Sequence, residues 1–171
     1  MRIIVCGAGR VGSQIARRLA DEGNDVTVVD LDPALVRQVT DAFDVQGVTG
    51  HASHPDVQAR AGARDADMLI AATHLDEVNM MACQVAHSVF SVPRKIARVR
   101  AQAYLQDEWG TLFQREHMPI DVIISPEREV ANVALARLNA TAAFETHTFL
   151  EGGVQIVGIK LDVDCAVLNT P

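Results

Sequence analysis

Residues 3–12 read Ile3-Ile4-Val5-Cys6-Gly7-Ala8-Gly9-Arg10-Val11-Gly12, an apolar run that leads into three glycines spaced as GxGxxG. Gly7 permits a tight turn, Gly9 lets backbone amides approach a pyrophosphate, and Gly12 lets the following helix pack closely on the strand. The amides and the dipole at the N-terminus of that helix then face the phosphates. Asp30 follows 18 residues after Gly12. Its carboxylate can accept hydrogen bonds from an adenosine ribose and would repel a 2′-phosphate.

The flanking residues distinguish this fingerprint from a structural turn, because a lone GxGxxG is common in glycine-rich turns. Val11, Ile15 and Leu19 form one face of a helix that begins directly after the glycines. A second apolar run, residues 26–29, predicts the strand that ends at Asp30. A strand, a glycine turn, a helix and a spaced acid together favour a dinucleotide-binding site.

Strand and helix patterns continue to alternate along the chain, with short connections. After the first two strands, four further strands are predicted at 45–49, 68–72, 95–99 and 122–124. Six strands joined by helical crossovers predict an α/β fold, a Rossmann-type, doubly wound, six-stranded parallel sheet.

The helices between these strands carry start signals and apolar faces. Asp32 is expected to cap a helix whose first residue is Pro33. A short helix is predicted to begin after Ser53, its cap, and to end at Gly62. A longer helix over 76–90 has an apolar stripe made of Val78, Met81, Val85 and Val89.

The pattern changes after the sixth strand. Ser125-Pro126-Glu127 opens a helix with an apolar stripe of Val130, Val133, Ala134 and Leu138, which residues 139–141 can end. Two strands over 146–150 and 154–163 follow, joined by a Gly152-Gly153 turn, with a bulge expected near Gly158. We therefore predict a Rossmann nucleotide-binding domain at 1–125, a crossover and dimerisation helix at 126–141, and the beginning of a truncated β-hairpin subdomain at 142–171.

Bulk properties exclude several classes of protein. The chain has 171 residues and a net charge of −7, which disfavours nucleic acid as a partner. Its three cysteines contain no CxxC pair and suit a reducing compartment. No apolar run reaches the roughly 20 residues that span a bilayer, and the start lacks a signal peptide's apolar region. The sequence indicates a cytoplasmic protein without direct membrane insertion.

Histidines provide the main candidates for catalysis or metal binding. His51, His54 and Asp56 resemble metal ligands, but a polar loop with Ser53 as a helix cap explains them more simply. His74 follows the fourth strand, where a general base could lie, but no orienting partner accompanies it. We therefore expect neither a catalytic nor a metal site.

Several segments exceed the generic Rossmann pattern and closely resemble the TrkA family, the NAD-binding regulatory subunits of Trk potassium-uptake systems. The family is built from domains that regulate potassium conductance (RCK or KTN domains), and the full-length family protein carries two of them. The resemblance is dense over residues 1–140 and rests on the glycine fingerprint together with four segments: Asp44-Val45-Gln46-Gly47-Val48-Thr49-Gly50-His51-Ala52-Ser53; Asp65-Ala66-Asp67-Met68-Leu69-Ile70-Ala71-Ala72-Thr73 with Asp76-Glu77-Val78-Asn79; Ile96-Ala97-Arg98-Val99-Arg100; and Asp121-Val122-Ile123-Ile124-Ser125-Pro126.

The resemblance implies a set of cofactor-binding residues. Asp30 would bind the adenosine ribose, Thr73 and His74 would lie beside the ligand, and the pyrophosphate would be held by Gly7, Ala8, Gly9, Arg10 and Val11. Arg98 would offer a cation to the phosphates. In an alternating strand Arg98 and Arg100 point the same way, so a paired positive site is expected there, although a strand-end arginine is often a solvated surface residue.

Two functions from different classes remain open. The resemblance implies a regulatory module that binds NAD+ or NADH, or ATP or ADP in the same crevice, and gates a potassium transporter by changing conformation. Its partners would be the membrane-embedded Trk transporter subunit, at the inner face of the cell membrane, and further copies of itself, as a dimer or higher oligomer. The alternative is the cofactor domain of a small NAD-dependent oxidoreductase.

Overall fold

The structure, a computed structural model, describes residues 1–139, 143–149 and 154–159. The chain divides into two compact units at the junction between Ser125 and Pro126. None of the described helices is both long enough and apolar enough to cross a membrane.

The first unit is a six-stranded parallel sheet with the strand order β3-β2-β1-β4-β5-β6, which confirms the predicted Rossmann fold. Short 3-10 helices occupy Ala63–Asp65, Gln102–Leu105 and Asp107–Phe113. The strands and helices are, in chain order, β1 (Arg2–Cys6), α1 (Arg10–Asp21), β2 (Asp25–Asp30), α2 (Pro33–Ala42), β3 (Gln46–Thr49), α3 (Pro55–Arg60), β4 (Met68–Ala71), α4 (Asp76–Ser88), β5 (Arg94–Arg98) and β6 (Val122–Ile124).

The core lies on both faces of this sheet because its central strands alternate buried side chains between two clusters. In β1, Ile4 and Cys6 pack with residues of α3 and α4, whereas Ile3 and Val5 pack with residues of α1 and α2. Burial on both faces explains why the strands read as continuous apolar runs.

The predicted apolar stripe of α4 is wrong. Met81 is 49% exposed and Val89 is 55% exposed, and the helix ends at Ser88 rather than Phe90. The face that contacts β4 and β5 is largely built from small side chains, and its buried residues are Asp76, Asn79, Met80, Ala82, Cys83 and Ala86. Small side chains let a helix approach a sheet closely, so the longest apolar residues need not mark the buried face.

The structure confirms the predicted N-terminal cap of α2 and contradicts that of α3. Asp32 caps α2 as predicted, because its carboxylate accepts a hydrogen bond from the Ala34 amide at 2.8 Å. The prediction that Ser53 caps α3 is wrong. The residue at the cap position is His54, which makes no side-chain cap bond, and the Ser53 hydroxyl instead lies 2.8 Å from the Nδ1 atom of His51.

The second unit contains α5 (Pro126–Asn139) and an antiparallel pair, β7 (Ala143–Phe149) and β8 (Val154–Ile159). The register shifts between Ala143 and Glu145, opposite Gly158, so the irregularity lies where it was predicted but the extra residue belongs to β7. The structure begins the first strand of the pair three residues earlier than predicted. The Gly152-Gly153 turn, the predicted helix end at 140–141, residues 160–163, Cys165 and the side chain of Leu138 lie outside the described residues.

Candidate functional site

A cleft of about 550 Å³ opens at the carboxyl edge of the parallel sheet. Its lining comes from the segments that follow β1, β2, β3, β4 and β5, together with the first turns of α1, α2 and α4. This edge, where the strand order reverses between β1 and β4, is where open α/β sheets bind ligands. The volume is typical of pockets that hold small organic ligands.

The three glycines of the fingerprint lie in different structural surroundings. Gly7 has φ +108°, and a Cβ atom there would lie 2.9 Å from the Ala72 carbonyl oxygen. A Cβ atom on Gly12 would lie 1.8 Å from the Gly7 carbonyl oxygen. Gly9 has φ −67°, and a Cβ atom there would have nothing within 4 Å. The fold therefore needs glycine at the first and third positions, while the second leaves open space at the cleft.

The N-terminus of α1 faces the cleft through Gly9, Arg10 and Val11. No side chain caps this end, and the first turn contains no acidic residue. The first amides of a helix have no acceptor inside the helix and carry the positive end of its dipole. This end of α1 is therefore suited to binding an anion.

Asp30 is held in place by two backbone amides at the end of β2. Its Oδ2 atom accepts a hydrogen bond from the Ala8 amide at 2.6 Å, and its Oδ1 atom accepts one from the Asp32 amide at 2.9 Å. Each carboxylate oxygen can accept a further bond. Ala8 is buried and does not line the cleft, unlike Gly7, Gly9, Arg10 and Val11. Its amide is thus directed to Asp30 rather than to the cleft.

Thr73 and His74 both line the cleft beyond β4. The amide and the hydroxyl of Thr73 donate to the Oδ1 atom of Asn79, at 2.8 and 2.7 Å. His74 is exposed, and its backbone carbonyl accepts a hydrogen bond from the Arg100 guanidinium.

Arg98 lines the cleft from the end of β5. Among the described residues, its buried Nε atom has no acceptor and its guanidinium forms no ion pair. Arg100 does not join it, so the expected pair of cations is wrong. Arg100 does not line the cleft, and its Nε atom lies 3.8 Å from the Oδ1 atom of the buried Asp76.

Three buried polar residues around the cleft were not predicted as functional. Asp76 accepts hydrogen bonds from the amides of Arg100 and Ala101. Gln58 donates to the carbonyl oxygens of Ala52, in the segment after β3, and Ala82, on α4, whereas Asn79 donates to the carbonyl oxygen of Arg98 at the end of β5. The periodicity of apolar residues does not identify buried polar side chains. The available signal was their position, since Asp76 and Asn79 lie in the first turns of a helix that directly follows a buried strand.

His51 lines the cleft after β3 and stacks on His54, with ring centroids 4.6 Å apart. Asp56 lies in the first turn of α3. Within the described ranges, no group of three or more histidine, cysteine, aspartate or glutamate side chains could hold a metal ion.

A family model described as the TrkA-N domain matches residues 3–126. The chain belongs to the TrkA-N domain family. The chain also matches relatives named Trk system potassium uptake protein TrkA, and these matches extend beyond residues 3–126. The one from Azorhizobium caulinodans is 56% identical over 171 residues, which are 100% of this chain and 37% of the relative. The one from Halomonas elongata is 49% identical over 160 residues, which are 94% of this chain and 35% of the relative. The chain thus spans about a third of these relatives.

Solved structures share the TrkA-N fold at low sequence identity. The TrkA-N domain of the inner membrane protein YbaL from Escherichia coli has a TM-score of 0.68 and 20% identity, over 80% of this chain and 95% of that one. The AMP-bound Kef C-terminal domain from Shewanella denitrificans has a TM-score of 0.62 and 20% identity, over 84% of both chains. The NAD-bound GsuK channel has a TM-score of 0.63 and 16% identity, over 88% of this chain and 25% of that one.

Proposed function

We propose that this chain is a nucleotide-binding regulatory module of a potassium-uptake system, with NAD+ or NADH, or ATP or ADP, as the ligand of the cleft. The observation that carries the proposal is that a Cβ atom on Gly9 would meet no atom of the described residues within 4 Å, in front of a helix N-terminus that has no side-chain cap. A glycine that the fold itself does not require is explained if a phosphate group approaches the backbone there.

The chemistry of the cleft suits each part of such a ligand. The amides of Gly9, Arg10 and Val11 are placed to bind a pyrophosphate, and Arg98 supplies a cation without a described partner. The carboxylate of Asp30 retains lone pairs for two ribose hydroxyls, while each of its oxygens already accepts one amide hydrogen bond.

The two ends of the ligand would lie against different walls. The adenine would lie near His51 and the apolar Leu31 and Leu35, next to the ribose at Asp30. The remainder of a dinucleotide, or the terminal phosphates of ATP, would extend toward Thr73, His74 and Arg98. This placement follows the general Rossmann arrangement, in which the acid at the end of the second strand binds the adenosine ribose.

The regulatory role is supported by the names of the relatives, which are potassium-uptake proteins. The partner would be the membrane-embedded Trk transporter subunit, and the module would act in the cytoplasm, at the inner face of the cell membrane. Residues 1–125 would bind the ligand, 126–141 would mediate dimerisation, and 142–171 would begin a further subdomain.

Regulation by a ligand requires more than a high affinity of the protein for that ligand. A ligand shifts a conformational equilibrium only when it binds two conformations with different affinities. The module would therefore bind its nucleotide without consuming it, and occupancy would change the arrangement of subunits in a homo-oligomer. Helix α5 offers apolar side chains for such an interface, since Val130 and Val133 are 68% and 55% exposed.

Calorimetric titration of the chain with NAD+, NADH, ATP, ADP and AMP tests this proposal. We expect saturable binding of at least one of them, weakened when Gly9 is replaced by alanine. Absence of binding by all five nucleotides would refute it. The alternative, a cofactor domain of an oxidoreductase, would be favoured instead by steady oxidation of NADH with small carbonyl compounds.

A further inference from the structure

Two amide side chains are buried deeply in the first unit. Gln58 on α3 and Asn79 on α4 are both 0% exposed. Burying an amide costs free energy unless hydrogen bonds replace those that it made with water. The bonds that each amide makes therefore indicate what it does for the fold.

Asn79 uses both ends of its amide at the ends of two neighbouring strands. Its Oδ1 atom accepts hydrogen bonds from the amide and hydroxyl of Thr73, at 2.8 and 2.7 Å. Its Nδ2 atom donates to the carbonyl oxygens of Thr73, at 3.2 Å, and Arg98, at 2.9 Å. One side chain thus links Thr73, which follows β4, to Arg98, at the end of β5, and both residues line the cleft.

At the other end of the cleft, Gln58 connects the wall beyond β3 to helix α4. Its Nε2 atom donates to the carbonyl oxygens of Ala52 and Ala82, each at 2.9 Å. Its Oε1 atom is buried without a described partner, which costs free energy. An apolar side chain at position 58 would avoid that cost. The presence of glutamine there is therefore better explained by the two hydrogen bonds that its Nε2 atom donates to carbonyl oxygens. Ala52 belongs to the wall beyond β3, next to His51.

We infer that Gln58 and Asn79 are positioning residues that act separately on the two ends of the nucleotide cleft. Gln58 fixes the wall beside the adenosine end, and Asn79 fixes the wall that meets the rest of the ligand. The inference rests on the proposed function. Residues that hold binding groups within fractions of an ångström affect affinity without touching the ligand.

A comparison of NAD+ with AMP separates the two roles, because AMP contains only the adenosine end and one phosphate. Replacing Asn79 with leucine removes four hydrogen bonds while keeping the branching of the side chain. We expect Asn79→Leu to weaken NAD+ binding about tenfold more than AMP binding. We expect Gln58→Met, which removes both carbonyl bonds, to weaken both ligands by a similar factor and to leave their ratio unchanged.

Loss of stability alone cannot produce this pattern, because unfolding lowers the affinity for both ligands equally. Met80→Ala is the matched control: Met80 is buried on the same helix, and its replacement leaves a cavity away from the cleft. It should destabilise the protein and keep the ratio of the two dissociation constants at the wild-type value. Asn79→Asp, which keeps the acceptor for Thr73 and removes the donor to Arg98, supplies the same comparison if the leucine variant does not fold.

Titrations of the full chain and its variants with NAD+ and AMP decide between the outcomes. A ratio that changes in Asn79→Leu, or in Asn79→Asp, and not in Gln58→Met or Met80→Ala supports the inference. A wild-type ratio in folded Asn79 variants overturns it while leaving the proposed function intact. If the wild-type chain binds none of NAD+, NADH, ATP, ADP and AMP, the proposed function itself fails.

Discussion

Replacing Gly9 with alanine adds one methyl group at a point where the structure shows nothing within 4 Å. The backbone there has φ −67°, which alanine adopts without strain. Alanine is a poorer helix cap than glycine by about 0.5–1 kcal/mol. It also restricts the unfolded chain, which stabilises the fold by about 0.4–1 kcal/mol. These effects oppose each other, so the melting temperature should change by no more than about 4 °C.

The effect on binding should be far larger. If a phosphate group approaches the Gly9 backbone, the methyl group occupies part of its space, and overpacking of this kind costs about 1–3 kcal/mol. That corresponds to a dissociation constant about 5- to 150-fold higher. The assay is calorimetric titration with NAD+ or ADP, combined with thermal unfolding of the ligand-free protein.

Other glycines of the chain provide matched controls. Gly110→Ala also adds a methyl group with nothing within 4 Å, but it lies outside the cleft, so it should leave the affinity unchanged and at most stabilise the fold by about 0.4–1 kcal/mol. Gly12→Ala should damage the fold itself, because its methyl group would lie 1.8 Å from the Gly7 carbonyl oxygen. A stable Gly9→Ala variant that binds as tightly as the wild type would refute the reasoning, since no ligand could then lie against this residue.

Four further predictions follow from other parts of the chain. NAD+ should bind much more tightly than NADP+, because a 2′-phosphate would meet the carboxylate of Asp30; equal affinities in a titration would contradict this. Burial raises the pKa of Asp121, but hydrogen bonds and charge from Lys95 outweigh it and hold the pKa below its usual value. The stabilisation from this pair is therefore present above the unfolded pKa of about 3.9 and is lost as the pH falls below it, so Asp121→Asn should lower the melting temperature at pH 7 and much less at pH 3. Burial also raises the pKa of the Cys6 thiol to about 12, and Cys83 is likewise buried, so in a Cys165→Ser background thiol reagents should label these two cysteines only as the protein unfolds; fast labelling of native protein would count against the described packing. Light scattering should find a dimer or larger species, and Val133→Asp should shift it toward monomer by placing a charge in an apolar interface; a wild-type monomer at high micromolar concentration would exclude the proposed interface.

The strands and their order were predictable because buried parallel strands leave a direct record in the sequence. Continuous apolar runs such as 26–29 mark strands that are covered on both faces, and the glycine fingerprint marks the first crossover. The position of the ligand cleft then follows from the topology, since the carboxyl ends of β1, β2, β4 and β5 meet at one edge.

Side-chain partners were not predictable in the same way, because they depend on contacts between residues far apart in sequence. Periodicity predicted Met81 on the buried face of α4, whereas the close approach of helix and sheet selected smaller residues. Strand alternation paired Arg98 with Arg100, but Arg100 lies against the buried Asp76 and does not line the cleft. No local pattern indicates that one amide, Asn79, connects the ends of two strands.

The charges of the cleft are ordered along its length, and this order limits the class of ligand. At the β2 end, the carboxylates of Asp30 and Asp32 favour neutral hydrogen-bond donors and disfavour anions. At the α1 and β5 end, the helix dipole, Arg10 and Arg98 favour anions. A ligand with hydroxyl groups at one end and phosphates farther along matches this order, whereas a second phosphate beside the hydroxyls conflicts with it. Nucleosides that carry their phosphates only on the 5′ side have that arrangement, and NAD+, NADH, ATP and ADP share it.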